Sequence, residues 1–285
     1  MIKLYIDKHA GFCSGVTRTL QRAMEISKEK QNIVSLGELI HNPVIIQSLE
    51  NAGISVVNKK EEIDENNFVI VRAHGIPPVT ENWLNSHHIP YKDLTCPRVK
   101  NIHKTINQYA DKDYIIVIVG NPNHPEVIGH LGYASNKGVL ITNLEEAEIF
   151  STDKRVVVIA QTTISEAKFK EIVKILKRNL KVEDIVELNT ICSSVKKQQA
   201  WIKKYSRFSD ASLIIGGKKS SNSEKLYNIA NEYGNAFWIE RAEEITSTLF
   251  SYSTIALTAG ASTPDKTIEE VLELFRNKGA ELIKC

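Results

Sequence analysis

Thr95-Cys96-Pro97 is followed by Val99, Ile102, Ile106, Tyr109 and Ala110, and then by Tyr114-Ile115-Ile116-Val117-Ile118-Val119-Gly120-Asn121-Pro122-Asn123-His124. The first group has the spacing of an amphipathic helix; the second is a β-branched strand closed by a glycine and a polar turn. Gly120 lies 24 residues after Cys96, the interval that also separates Cys13 from Gly37 and Cys192 from Gly216. Four residues beyond the three glycines stand His41, His124 and Ser220. Each third then carries a second strand that ends in a polar turn: Ala73-His74-Gly75, Gln161-Thr162-Thr163 and Ala259-Gly260-Ala261-Ser262.

The cysteines recur at intervals of 83 and 96 residues (96 − 13 and 192 − 96), too long for a solenoid repeat. The pattern predicts an α/β fold of three similar units, 1–95, 96–191 and 192–285, with mainly parallel sheets. Such units can surround a pseudo-three-fold axis. Strands are predicted over 33–36, 68–72, 114–119, 156–160, 212–215 and 254–258, alternating with helical patterns such as Val16, Leu20, Ala23, Met24 and Ser27.

The 285 residues, 42% hydrophobic and 25% charged, suit a soluble globular chain. A formal net charge of +2 argues against a nucleic-acid groove or a polybasic membrane contact. No apolar run approaches the roughly 18 residues of a membrane span. Met1–Ile6 is followed too soon by Asp7, Lys8 and His9 to be a signal peptide. The expected compartment is the cytoplasm, where Cys13, Cys96, Cys192 and Cys285 would be reduced.

Three equivalent units can bring one residue type to a common axis. Three cysteines, each just ahead of a helix whose N-terminus favours thiolate, are then a candidate metal site. Soft sulfur ligands admit an iron–sulfur cluster or zinc. The absence of any Cys-x-x-Cys pair makes spacing alone a weak signal, since an isolated cysteine is more often a small buried hydrophobe. The polar turns lie where α/β sheets bind ligands, at helix N-termini whose N–H groups suit phosphate oxygens. Ser221-Asn222-Ser223-Glu224 also fits a capping box, the structural alternative for that segment.

Two motifs lead nowhere. Gly216-Gly217-Lys218-Lys219-Ser220 lacks the leading glycine of a P-loop, with Ser212 in its place, and no Gly-x-Gly-x-x-Gly opens a helix. His9, His87, His88, His103 and His130 fall outside the repeated turns and read as surface or packing residues, and Cys285 as a frayed terminal thiol.

Along nearly its whole length the chain resembles the 4-hydroxy-3-methylbut-2-enyl diphosphate reductase family, the last step of the non-mevalonate isoprenoid pathway. The carriers are Ala10-Gly11-Phe12-Cys13-Ser14-Gly15-Val16, Gly37-Glu38-Leu39-Ile40-His41-Asn42-Pro43, Arg72-Ala73-His74-Gly75 and Thr95-Cys96-Pro97. They continue with Gly120-Asn121-Pro122-Asn123-His124-Pro125-Glu126, Gln161-Thr162-Thr163, Ser220-Ser221-Asn222-Ser223 and Thr258-Ala259-Gly260-Ala261-Ser262-Thr263-Pro264-Asp265.

The resemblance implies three α/β units around a central cluster-binding cleft, with a 4Fe–4S cluster on Cys13, Cys96 and Cys192 and one iron open. It implies a diphosphate held by His41, His74, Ser220, Ser221, Asn222 and Ser262, with His124 beside the substrate. Glu126 would be the proton donor and Thr162 a partner near the substrate hydroxyl. The implied reaction is reductive dehydroxylation of (E)-4-hydroxy-3-methylbut-2-enyl diphosphate to isopentenyl and dimethylallyl diphosphates. A ferredoxin or flavodoxin would supply electrons, and the chain is expected to be monomeric. One departure is Ser193-Ser194-Val195-Lys196-Lys197-Gln198-Gln199, where the family more often has a threonine and an arginine. A zinc hydrolase and a non-enzymatic phospho-ligand module are the competing readings, which metal content and cysteine replacement distinguish.

Overall fold

The computed structural model describes residues 1–180 and 185–285. In chain order the elements are β1 (Lys3–Ile6), α1 (Ser14–Glu29), β2 (Ile33–Leu36), α2 (Pro43–Asn51), β3 (Ile54–Val57), β4 (Phe68–Val71), α3 (Pro78–Ser86), β5 (Tyr91–Asp93) and α4 (Pro97–Ala110). The middle of the chain adds β6 (Ile115–Val119), α5 (Pro125–Ala134), β7 (Gly138–Ile141), α6 (Leu144–Ile149), β8 (Val156–Ala160), α7 (Glu166–Asn179) and β9 (Ile185–Leu188). The remainder is α8 (Ser193–Tyr205), β10 (Ala211–Ile215), α9 (Ser221–Asn231), β11 (Asn235–Ile239), β12 (Thr254–Ala259), α10 (Asp265–Asn277) and β13 (Glu281–Lys284).

The described strands form three parallel sheets, ordered β3-β2-β4-β5, β7-β6-β8-β9 and β11-β10-β12-β1-β13. Central strands read as unbroken apolar runs, Ile-Ile-Val-Ile-Val in β6 and Val-Val-Val-Ile-Ala in β8, because helices cover both faces of a parallel sheet. Their neighbours β5, β9 and β13 are half exposed and carry charges, so their sequences lack that signal.

The sheets share one strand order, and β1 explains how. It leads to Cys13 as β5 leads to Cys96 and β9 to Cys192, and it pairs with β12 just as β5 pairs with β4 and β9 with β8. The first strand of the chain therefore completes the last sheet, in register Lys3 with Thr254 through Ile6 with Leu257. Cys285 is not frayed. Its N–H donates to the Ile6 carbonyl at 3.0 Å, and its carbonyl accepts from Lys8 at 3.2 Å.

The chain divides into two compact units that do not coincide with the repeat. One comprises 1–17, 40–48 and 193–285; the other comprises 18–39 and 49–192. The first unit contains the five-stranded sheet and a core that includes Leu4, Leu213, Leu257, Val271 and Phe275. The second contains both four-stranded sheets, with one core around Ile106, Ile116, Ile118 and Ile159 and another around Val69, Val71 and Leu84.

In every sheet the chain runs outward from the first strand of the repeat and returns on its other side. That places a switch point between β2 and β4, between β6 and β8, and between β10 and β12. Parallel sheets bind ligands beyond the carboxyl ends of strands at such points. The polar turns singled out from sequence all follow these strands.

Candidate functional site

The three cysteines occupy one backbone setting. Each stands immediately before a helix, Cys13 before α1, Cys96 before α4 and Cys192 before α8. Each also hangs by its N–H from the turn after the returning strand. Cys13 donates to Ala261 at 3.1 Å, Cys96 to Ala73 at 3.0 Å and Cys192 to Thr162 at 2.9 Å. None of the cysteines is disulfide-bonded, and all are partly exposed. A thiol at a helix N-terminus is biased toward the thiolate that ligates metal, so the donor chemistry fits a soft metal or cluster.

In the first unit, Gly216-Gly217 ends β10, and a Cβ on Gly217 would collide with the His41 carbonyl. The cap of α9 is Ser220, one residue earlier than the capping box predicts: its Oγ accepts from the Ser223 N–H at 3.3 Å and its carbonyl from Glu224 at 3.0 Å. The extended backbone of Ser220 turns its hydroxyl over the first turn of the helix, leaving Ser221 as the opening residue. Ser262, after β12, brings its hydroxyl within 3.5 Å of Ser220 Oγ.

Asn222 is buried on the same turn. Gln198 directs its amide group to the carbonyls of His9 and Ala259, at 2.8 and 3.1 Å, so its Oε1 must accept. It accepts from Asn222 Nδ2 at 2.8 Å, which leaves that nitrogen a second hydrogen for a ligand. Asn222 Oδ1 is buried and has no partner among the described residues. In the first repeat the capping falls to Asn42, whose Oδ1 accepts from Val44 and Ile45 at 3.0 and 3.3 Å, so His41 sits one residue outside the cap. His41, Ser220, Ser221, Asn222 and Ser262 thus all lie in turns of the first unit.

In the second unit, Gly120 ends β6 where a Cβ would come within 2.6 Å of Val127 Cγ2. His124 caps α5, its Nδ1 accepting from the Glu126 N–H at 3.2 Å, so a neutral ring carries its hydrogen on Nε2. The His74 ring meets that of His124 edge to face at 5.2 Å. Glu126, only 2% exposed, is gripped by one residue: Thr162 donates its N–H and its hydroxyl to the two carboxylate oxygens, each at 2.6 Å. Burial pushes the Glu126 carboxyl up. Hydrogen bonding and charge from His130, the charge of His124 and the Thr162 hydroxyl outweigh burial and bring it down to about 2.

Three features escaped the sequence reading. His130 and His103, read as surface or packing residues, are both buried, with His130 wholly enclosed and its Nε2 3.3 Å from Glu126 Oε1, beside the candidate acid. The signal was available, since His130 follows Glu126 by four residues on one helix face. Gln198 is the buried support of Asn222. Arg72 is buried beside Gly37, its guanidinium brought down to about 10 by burial against the opposing pull of Glu38.

Fold and site together define a parallel α/β protein with thiols at three helix starts and polar ligand turns at its switch points. The chain matches the family model described as LytB protein over residues 4–276 and belongs to that family. A protein of Aquifex aeolicus named 4-hydroxy-3-methylbut-2-enyl diphosphate reductase is 40% identical, covering 95% of this chain and 95% of that one. One of the same name from Caldanaerobacter subterraneus is 38% identical over 98% of this chain and 99% of the other. A solved structure of (E)-4-hydroxy-3-methyl-but-2-enyl diphosphate reductase, "the terminal enzyme of the non-mevalonate pathway", is 38% identical with a TM-score of 0.68, covering 97% and 100% of the chains. The Plasmodium falciparum reductase structure, 24% identical, shares the fold with a TM-score of 0.93 over 100% and 92%. No described helix is long and apolar enough to cross a membrane.

Proposed function

We propose that this protein is an oxidoreductase that removes the hydroxyl of (E)-4-hydroxy-3-methylbut-2-enyl diphosphate, yielding isopentenyl and dimethylallyl diphosphates, in the cytoplasm. The observation that carries the reading is the shared setting of Cys13, Cys96 and Cys192, each suspended from a ligand turn at a helix start. Full-length identity of 38–40% to reductases of that name supplies the substrate. Those three cysteines would hold a 4Fe–4S cluster. When bound, such a cluster would supply electrons and Lewis acidity to the substrate.

The remaining chemistry belongs to side chains. The balance is one allylic alcohol, two electrons and two protons to one olefin and one water. Hydroxide leaves poorly, so an acid must protonate it, and Glu126 is the buried carboxyl of these turns. Thr162 fixes both carboxylate oxygens, and His124 offers Nε2–H beside them. His41, His74, Ser220, Ser221, Asn222 and Ser262 would hold the diphosphate through neutral donors and a helix N-terminus. The electron donor would be a ferredoxin or flavodoxin, and the working unit a monomer.

Anaerobic purification with iron and sulfide analysis, followed by assay with a chemical reductant, tests this reading. Near-stoichiometric cluster and release of the two C5 diphosphates are expected. Zinc in place of iron, or cluster-loaded protein inert to the substrate, would overturn it.

A further inference from the structure

Behind Glu126 lies a second layer of titratable groups that the reaction has not used. Glu126 sits ionised, so to act as an acid it must first receive a proton. Both carboxylate oxygens accept from Thr162, Oε1 from its N–H and Oε2 from its hydroxyl. His130, wholly buried, also brings its Nε2 within 3.3 Å of Oε1. Neither nitrogen of His130 has a well-aligned hydrogen bond among the described residues, nor does Nε2 of His103. Apolar packing alone does not favour burying an imidazole against a carboxylate with its nitrogens so poorly satisfied.

The two imidazoles adjoin. Their rings meet edge to face at 5.2 Å, and His103 stacks on Tyr133 at 4.0 Å. Gly75 makes room for His103, since a Cβ there would come within 2.9 Å of Cε1. His103 and Tyr133 in turn line a small open cavity of about 30 Å³, room for a water, shared with Glu81, Tyr91, Asp93 and Lys100. Asp93 and Lys100 pair there with side chains 33% and 43% exposed, so this end of the row reaches solvent. The row therefore runs from water, past His103 and His130, to the carboxylate.

We propose that His130 is the positioning and proton-supplying residue for Glu126, recharged from this cavity through His103. The step balances with a neutral ring: a proton that originates in cavity water adds to His130 Nδ1 as the N–H bond at Nε2 breaks and an O–H bond forms on Glu126 Oε1, and tautomer exchange between turnovers restores the hydrogen on Nε2. The inference deepens the functional reading above and rests on it. The groups facing the row are His124 and Thr162 at Glu126, and Glu126, His130 and Asp93 at His103.

His130→Gln keeps an N–H donor near the Nε2 position but cannot pass a proton through the ring. In cluster-loaded enzyme, this variant should lose roughly tenfold or more in kcat with KM within about twofold. Its solvent deuterium isotope effect should exceed that of the wild type. His103→Phe should show the same pattern more weakly. Unchanged kcat and isotope effect in a folded, iron-replete His130→Gln would overturn the proposal. Wild type inert toward the diphosphate would instead remove the functional reading itself. Should the variants fail to fold, nitrogen-15 NMR of the loaded wild type decides: a hydrogen on His130 Nε2 that shifts in Glu126→Gln supports the step, and a bare Nε2 ends it.

Discussion

The turns after β6 and after β10 are built alike and differ in the charge they carry. Each follows a central strand closed by glycine, and each helix is capped by the residue four beyond it, His124 or Ser220. Two residues past the cap a buried polar side chain points back, Glu126 in the second unit and Asn222 in the first. Glu126 is held by Thr162, while the equivalent position in the other turn, by its bond to a cysteine N–H, is Ala261. Asn222 is held instead by Gln198 from a neighbouring helix. One backbone device thus presents a carboxylate in one turn and a neutral amide in the other, according to two side chains. Charge is the dividing line: under the proposed function, a carboxylate in place of Asn222 would repel diphosphate.

The largest effect should come from removing the charge on one side. Glu126→Gln is expected to lower kcat by roughly 10²-fold or more while iron content and KM hold; full turnover would take Glu126 off the proton path. Adding the charge on the other side is the converse. Asn222→Asp should raise KM about tenfold or more, near 1.4 kcal/mol, with far less change in kcat, and titration with inorganic diphosphate as competitor reads the same loss.

A third break is acid. His103, brought down to about 3 by burial with repulsion from His130, is neutral in the fold, whereas the unfolded ring binds a proton below pH 6.5. Its contribution is therefore complete above pH 6.5 and fades between 6.5 and about 3. Glu126, depressed to about 2, adds stability above pH 4.5 that is lost below it. Melting followed by circular dichroism should show stability falling from pH 6.5 by up to about 1.4 kcal/mol per pH unit for each proton taken up. His103→Gln should flatten the limb between 6.5 and 4.5, and an identical limb in that variant contradicts the account. The smallest effect belongs to Cys285→Ala. Its backbone bonds survive the change, so iron content should stay at the wild-type level.

The strands that sequence could place are those with uninterrupted apolar runs. Predicted segments 33–36 and 156–160 match β2 and β8 residue for residue, and the other four differ from theirs by one residue at an end. Strands β3, β5, β7, β9, β11 and β13 passed unseen because a neighbour or solvent, rather than two covering helices, sets their residues. The spacing from cysteine to glycine to cap was legible because it is local, counted along one helix and one strand.

What sequence determined by itself was this local order: a cysteine at each helix start, a polar turn after each central strand, and the family they mark. Tertiary structure decided which distant segments complete them. β1 closes the last sheet, the Thr162 and Gln198 side chains complete the two turns, and His130 and His103 lie in a buried row behind the carboxylate. The physical reason is that burial and hydrogen-bond partnership are set by residues tens to hundreds of positions away, and a period of two or of 3.6 carries no record of them.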